Sequence, residues 1–189
     1  QVMAMLAIYL KDQGRLRQNT LVATVMSNMG LDIAMKKHNI KMEKTKVGDR
    51  FVYESMQKND FSLGGEQSGH IILKKYATTG DGLLTALMIM EEICDSKLSL
   101  AKLCEPVTLY PQLTINIRVK DKAAVLSDEA VLKARDEVDA LIDGKGRALL
   151  RQSGTEPVIR IMIESETEEM CQSYANKIAD VILERGHGA

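Results

Sequence analysis

The chain has 189 residues with 25 basic and 26 acidic side chains, a net charge of −1, and a hydrophobic content of 45% against 27% charged. That length holds one large or two small domains with a real core. Mixed charge without a basic block gives nucleic acid nothing to hold, and no tryptophan with 4% aromatic residues leaves no stacking platform for sugars or bases.

The apolar start, Val2 to Leu10, is too short to span a bilayer and has neither a charged leader nor a cleavage site. It reads as a core helix over 2–12 that stops near Gly14. The chain opens without methionine and within an element, which is what an excised fragment looks like. Leu21 to Met26 is a short apolar run rich in β-branched residues, a buried strand. Helical spacing returns over 30–39, with Leu31, Ala34, Met35 and His38 on one side. A strand at 41–46, a helix at 49–58 and strands near 61–64 and 70–73 follow. Asp81 is placed to cap a helix running to about Cys94, with Leu84, Leu87, Met88 and Ile93 as its buried stripe. Strands alternating with helices predict an α/β domain with a mixed sheet over 1–107.

Pro106 and Pro111 bracket a linker, and 108–189 changes character. The pattern becomes strand 112–119, helix 128–141, strand 147–151, strand 157–164 and helix 167–184. Leu113 to Val119 alternates apolar and polar residues strictly, as a sheet with one buried face requires. This predicts a smaller α+β domain with an antiparallel sheet flanked by two helices on one face. Cys94, Cys104 and Cys171 are odd in number and lack metal-ligand spacing, so they read as reduced thiols in packed helices of a cytoplasmic protein.

Two segments carry chemistry. In Gly64-Gly65-Glu66-Gln67-Ser68-Gly69-His70 the glycines permit positive φ and close ligand approach. Glu66, Ser68 and His70 are two apart, so in an extended loop they project to one side. A carboxylate accepts from sugar hydroxyls, a serine donates and accepts, and an imidazole assists as donor or as acid/base near neutral pH. The same residues suit a glycine-rich hairpin with a solvated tip, and residue type leaves both readings open.

In Arg151-Gln152-Ser153-Gly154-Thr155-Glu156-Pro157 a strand must turn, and the turn offers backbone N–H groups, two hydroxyls and a charged fork. Arg151, Ser153, Gly154 and Thr155 form a natural phosphate cradle, which Arg160 approaches from the next strand. Glu156 is unwelcome beside phosphate and is expected to turn away onto a basic partner. A surface turn with a solvated arginine is the alternative. An anion site and a hydroxyl site together point to a phosphosugar.

The two segments together closely resemble the α-D-phosphohexomutase superfamily. Val25-Met26-Ser27-Asn28-Met29-Gly30, Val47-Gly48-Asp49-Arg50 and Thr78-Thr79-Gly80-Asp81-Gly82 are similar to its bacterial phosphoglucosamine mutase branch. The resemblance covers essentially the whole chain, in order, as the third and fourth domains. It implies an isomerase-type phosphotransferase of amino-sugar metabolism that interconverts glucosamine 6-phosphate and glucosamine 1-phosphate. A phosphoserine, Mg2+ and a hexosamine 1,6-bisphosphate intermediate carry that reaction.

By the same resemblance, Glu66, Ser68 and His70 grip the sugar while Arg151, Ser153, Gly154 and Thr155 hold the phosphate that is not transferred. Release of the ligand would need the second domain to swing about the 106–111 linker. Position 152 is Gln where the family usually has proline, which loosens that loop. Neither the Thr-Ala-Ser-His-Asn-Pro phosphoserine segment nor the Asp-Gly-Asp-x-Asp-Arg magnesium loop occurs in the chain. The expectation is a substrate-binding half with no metal ligand and no nucleophile of its own, inactive alone, whose partners are the phosphosugar and the enzyme's N-terminal domains, with neither nucleic acid nor membrane. A mutase for glucose or mannose phosphates, and a non-catalytic phosphosugar-binding module, are the alternatives.

Overall fold

Alternation along one strand settles the layers of the first unit, Gln1–Leu109, in a computed structural model that describes residues 1–189. All five residues of β1 (Thr20–Thr24) are buried, with Leu21 and Ala23 packing into one apolar cluster and Val22 into another. A strand buried on both faces needs cover on both. α1 (Val2–Asp12), α2 (Met29–Lys37) and α4 (Gly82–Ser96) bring Leu6, Leu10, Met35 and Met88 to the first face, and α3 (Asp49–Asn59) brings Val52 and Met56 to the second.

β1 pairs in parallel with β2 (Lys41–Thr45) and β3 (Leu63–Gly65), and β4 (Ile71–Leu73) closes the edge antiparallel to β3. The order is β2-β1-β3-β4, a mixed four-stranded sheet. A short helix, α5 (Leu100–Cys104), which the sequence reading did not anticipate, precedes the Pro106–Pro111 linker.

Helix α4 corrects one expectation. Asp81 does cap it, accepting from the Leu84 N–H at 2.9 Å. The buried stripe, however, is Thr85, Met88 and Glu92, while Leu87 is 53% exposed. Apolar residues lie on two sides of this helix, and spacing alone cannot say which side the sheet takes. The same helix leaves Cys94 exposed, where packed thiols were expected; Cys104 is intermediate and Cys171 buried.

The second unit, Tyr110–Ala189, is a three-stranded antiparallel sheet. Its order is β5-β7-β6, from β5 (Gln112–Arg118), β6 (Arg147–Gln152) and β7 (Val158–Glu164). Ile159, Ile161 and Ile163 of central β7 face one way and pack with residues of α7 (Glu129–Leu141) and α8 (Glu168–Glu184), Val138, Ala175 and Ile178 among them. A third, short helix, α6 (Lys122–Ser127), also reaches the sheet through Val125. It is six residues long, below what periodicity detects, but its cap is plain: Asp121 accepts from the Ala123 and Ala124 amides.

Two carboxylates tie this unit together. Glu164 is fully buried and is held by Arg147, Nε to Oε2 at 2.7 Å and Nη2 to Oε1 at 3.2 Å, a bidentate pair across β6 and β7. Asp128 caps α7 and also meets His187 at 2.9 Å and Arg185 at 3.0 Å, which hold its carboxyl well below the usual range. No helix is long and apolar enough to cross a membrane.

Glu92 is the costly residue of the first unit. It is 4% exposed, its Oε2 has no hydrogen-bond partner, and burial, aided by Asp12, raises its pKa from 4.5 to about 7. Between these values the unfolded chain binds fewer protons than the folded one, so stability falls as pH rises. Denaturant titrations should show the first unit losing stability from pH 5 to 8, on the order of 2–3 kcal/mol. Glu92→Gln should remove the slope and be the more stable protein at pH 8; a wild-type slope in the variant would mean another group is responsible.

Candidate functional site: two polar loops

Parallel pairing brings the ends of β2 and β3 to one edge of the first sheet. Gly48 and Asp49 follow β2, and Glu66 follows β3. Gly48 sits at φ +126°, a conformation glycine adopts without cost, and its N–H donates to Glu66 Oε1 at 2.9 Å. The carboxylate therefore rests at the N-terminal end of α3, where the helix dipole favours negative charge. One oxygen is fixed and the other is open to a ligand.

The loop itself is a tight turn, which corrects the extended arrangement expected from sequence. Glu66 N donates to His70 O at 2.9 Å, and Gly69 N donates to Glu66 O at 3.1 Å. Glu66 and His70 thus stand together at the base, while Ser68 is exposed at the tip. His70 is held by residues that spacing did not single out. Its Nε2 accepts from the Gly80 N–H at 3.0 Å and lies 3.4 Å from Asp49 Oδ2. With Nε2 accepting, Nδ1 is the nitrogen left to donate. A Cβ on Gly80 would come within 2.6–2.7 Å of three atoms of the imidazole, so glycine there is a packing requirement.

In the second unit the turn between β6 and β7 holds Ser153, Gly154 and Thr155. Ser153 is 2% exposed, and its hydroxyl accepts from Thr155 N at 3.4 Å and Glu156 N at 3.2 Å. This hydroxyl shapes the loop from within, and two of the N–H groups expected to face an anion are turned toward it. The Gly154 and Thr155 side of the turn is exposed. Beneath it Lys122 donates to the Ser153 carbonyl at 2.9 Å and the Glu156 carbonyl at 3.2 Å. Lys122 lies more than thirty residues earlier in sequence, and no local pattern marks it.

Arg151 and Arg160 are directly opposite each other on β6 and β7. The Glu156 carboxylate has a basic partner, Arg160 at 3.0 Å, but Arg160 belongs to the expected cradle, so Glu156 does not turn away from it. Arg160 is thereby partly neutralised. Arg151 has no carboxylate partner, and burial, then the neighbouring Arg160 charge, lower its pKa. The Nε of each arginine is buried and unpartnered. Two adjacent guanidiniums with one carboxylate between them favour a bound anion.

The sequence matches two family models, "Phosphoglucomutase/phosphomannomutase, alpha/beta/alpha domain III" over residues 1–110 and "Phosphoglucomutase/phosphomannomutase, C-terminal domain" over 115–181. It is 48% identical to the phosphoglucosamine mutase of Leifsonia xyli subsp. xyli over 98% of this chain and 41% of that protein. It is 50% identical to that of Geobacillus kaustophilus over 96% of this chain and 40% of that protein. The chain thus spans about two-fifths of the length of these relatives. Among solved structures, the N-acetylphosphoglucosamine mutase of Aspergillus fumigatus in complex with GlcNAc-6P and magnesium superposes with a TM-score of 0.77. Its identity is 16%, over 96% of this chain and 46% of that one. At that identity the likeness concerns fold alone, a mixed-sheet unit followed by an antiparallel one.

Lys122 generates a prediction. Lys122→Met removes two charge-assisted hydrogen bonds to the loop backbone while keeping the apolar stem. Amide hydrogen exchange at Ser153 and Glu156 should rise at least tenfold, with Ile161 and Met162 in mid-strand unchanged. Unaltered exchange at the loop would show that the ammonium does not hold it.

Proposed function

Because the chain belongs to the phosphoglucomutase/phosphomannomutase family, we propose that it forms the substrate-binding part of a cytoplasmic phosphoglucosamine mutase, which interconverts glucosamine 6-phosphate and glucosamine 1-phosphate. Domain 1–107 recognises the sugar and domain 108–189 the phosphate. Glu66 accepts from ring hydroxyls through its open oxygen, Ser68 adds a donor and acceptor at the loop tip, and His70 offers Nδ1 as donor or proton carrier. Arg151 with the Gly154–Thr155 turn takes the phosphate that is not transferred, with Ser153 shaping that turn and Arg160 adding charge beside it.

In this reading the transferred phosphoryl group comes from a phosphoserine in the part of the relatives that this chain does not match, and a hexosamine 1,6-bisphosphate is the intermediate. Because phosphate enters at either end of the sugar, these groups must accept both orientations, which suits a charge cluster better than shape-specific contacts. Magnesium finds no fit among these residues, since no group of three or more His, Cys, Asp or Glu side chains converges to hold an ion. Its ligands belong with the phosphoserine, and the residues here act on hydroxyls and phosphate alone.

The observation that supports this reading most is Arg151 beside Arg160, a charge pair short of counter-ions at the mouth of an exposed turn. Calorimetric titration of the 189-residue chain tests it. Arg151→Ala should weaken both glucosamine 6-phosphate and inorganic phosphate about ten- to a hundredfold, the worth of one charged hydrogen bond. Glu66→Ala should weaken only the sugar phosphate, by a similar factor. Equal binding by wild type and Arg151→Ala would place the anion elsewhere, and a sugar phosphate indifferent to Glu66→Ala would remove the sugar assignment.

A further inference from the structure

A cleft with both charged and apolar walls lies in the first unit at the other end of its sheet from the Glu66 loop. This half-open cleft of about 440 Å³ is lined by residues just before β1 and β3 and just after β4: Arg15, Arg17, Asp60, Phe61, Lys74 and Tyr76 among them. The Gly48–Glu66–His70 cluster enters at the opposite ends of these strands. Across the three-residue β3 that separation is about 10 Å, so the two places are distinct.

The charge here is unbalanced. Four cations, Arg15, Arg17, Lys74 and Lys75, line the cavity with one carboxylate, Asp60. Asp60 is shared, by Lys74 Nζ at 3.0 Å and by Arg17. Arg15 is occupied by Glu91 at 3.1 Å, and Lys75 has no carboxylate, standing 5.2 Å over the Tyr76 ring. Four cations against these two carboxylates leave two positive charges, the charge of one phosphomonoester dianion. Two of the four are already ordered, Arg15 and Lys74 having side chains only 28% and 25% exposed.

The rest of the lining is not a phosphate site alone. Leu10, Phe61 and Leu73 are buried and form an apolar floor, and Tyr76 presents a half-exposed ring. Arg15 Nη2 donates to the Tyr76 hydroxyl at 3.0 Å, which leaves the phenolic O–H free to donate to a ligand. A cavity of this volume, with an apolar floor and a few convergent polar groups, has the size and character of a small-molecule site.

We propose that this cavity binds a small phosphomonoester carrying a planar or apolar body, the chemistry of a nucleoside monophosphate. The phosphate lies between Arg17, Lys74 and Lys75, and the ring rests on the Phe61–Tyr76 floor. The site is independent of the phosphosugar reading.

The test uses the 189-residue chain carrying Arg151→Ala, so that the phosphate turn of the second unit does not compete. Adenosine 5′-monophosphate should bind and perturb the Tyr76 and Phe61 ring resonances, whereas adenosine or inorganic phosphate alone should bind at least tenfold more weakly. Lys75→Glu, at an exposed position that folding tolerates, should weaken the monophosphate by a factor of about ten or more, and Arg17→Ala should do likewise. No binding at millimolar monophosphate would overturn the proposal. So would binding indifferent to both variants, or as strong for inorganic phosphate as for the nucleotide.

Discussion

Parallel pairing of β1 with β2 and β3 is the constraint on which the first unit's candidate site depends. Strands that run together end together, so the segments after β2 and β3 must emerge at one edge. That edge then collects Gly48, Asp49, Glu66 and His70, which are spread over more than twenty residues of sequence. The antiparallel β4 adds the other half. It returns the chain from the Glu66–Gly69 turn, and the turn is closed by the Glu66 N to His70 O bond. A carboxylate and an imidazole so placed are held by backbone N–H donors of neighbouring segments, Gly48 for one and Gly80 for the other. Both side chains are ordered before any ligand arrives, which lowers the entropic cost of binding.

The second unit solves the same problem with charge. Its turn between β6 and β7 has few internal partners, and a loop of exposed glycine and threonine would otherwise wander. Ser153 braces it from within and Lys122 from below, and Arg147 with buried Glu164 anchors the far end of the same two strands. Between these anchors stand Arg151 and Arg160, directly opposite each other; burial, then the neighbouring Arg160 charge, lowers the pKa of Arg151. In the phosphate-binding role proposed above, an anion beside Arg151 offsets that repulsion.

Much of this was legible in the sequence. The boundaries of α1, α2, α3, α8 and the long strands follow from apolar spacing, and strict alternation marked β5 as one-sided. The two polar loops were visible because glycine, hydroxyl and charge cluster there. Other features were not legible, for physical reasons. Helix α4 has apolar residues on two sides, so its buried face depends on what packs against it. Helix α6 is too short for periodicity to register. The Gly48–Glu66 bond joins segments that parallel strand pairing brings together, and the Gly80–His70 bond depends on the loop after β4 folding back on the start of that strand. Lys122 carries no local signal at all, since its role is defined by two carbonyls more than thirty residues away.

The central claim is that both loops serve one kind of ligand, a phosphorylated amino sugar. Amide chemical-shift mapping of the 189-residue chain with glucosamine 6-phosphate, and separately with glucosamine, tests it most directly. The phosphosugar should shift amides at Gly48, Glu66 and His70 and also at Arg151, Gly154 and Thr155, while glucosamine leaves the second group unmoved. Shifts confined to residues outside these two loops, or a second group that responds equally to the unphosphorylated sugar, would contradict the account.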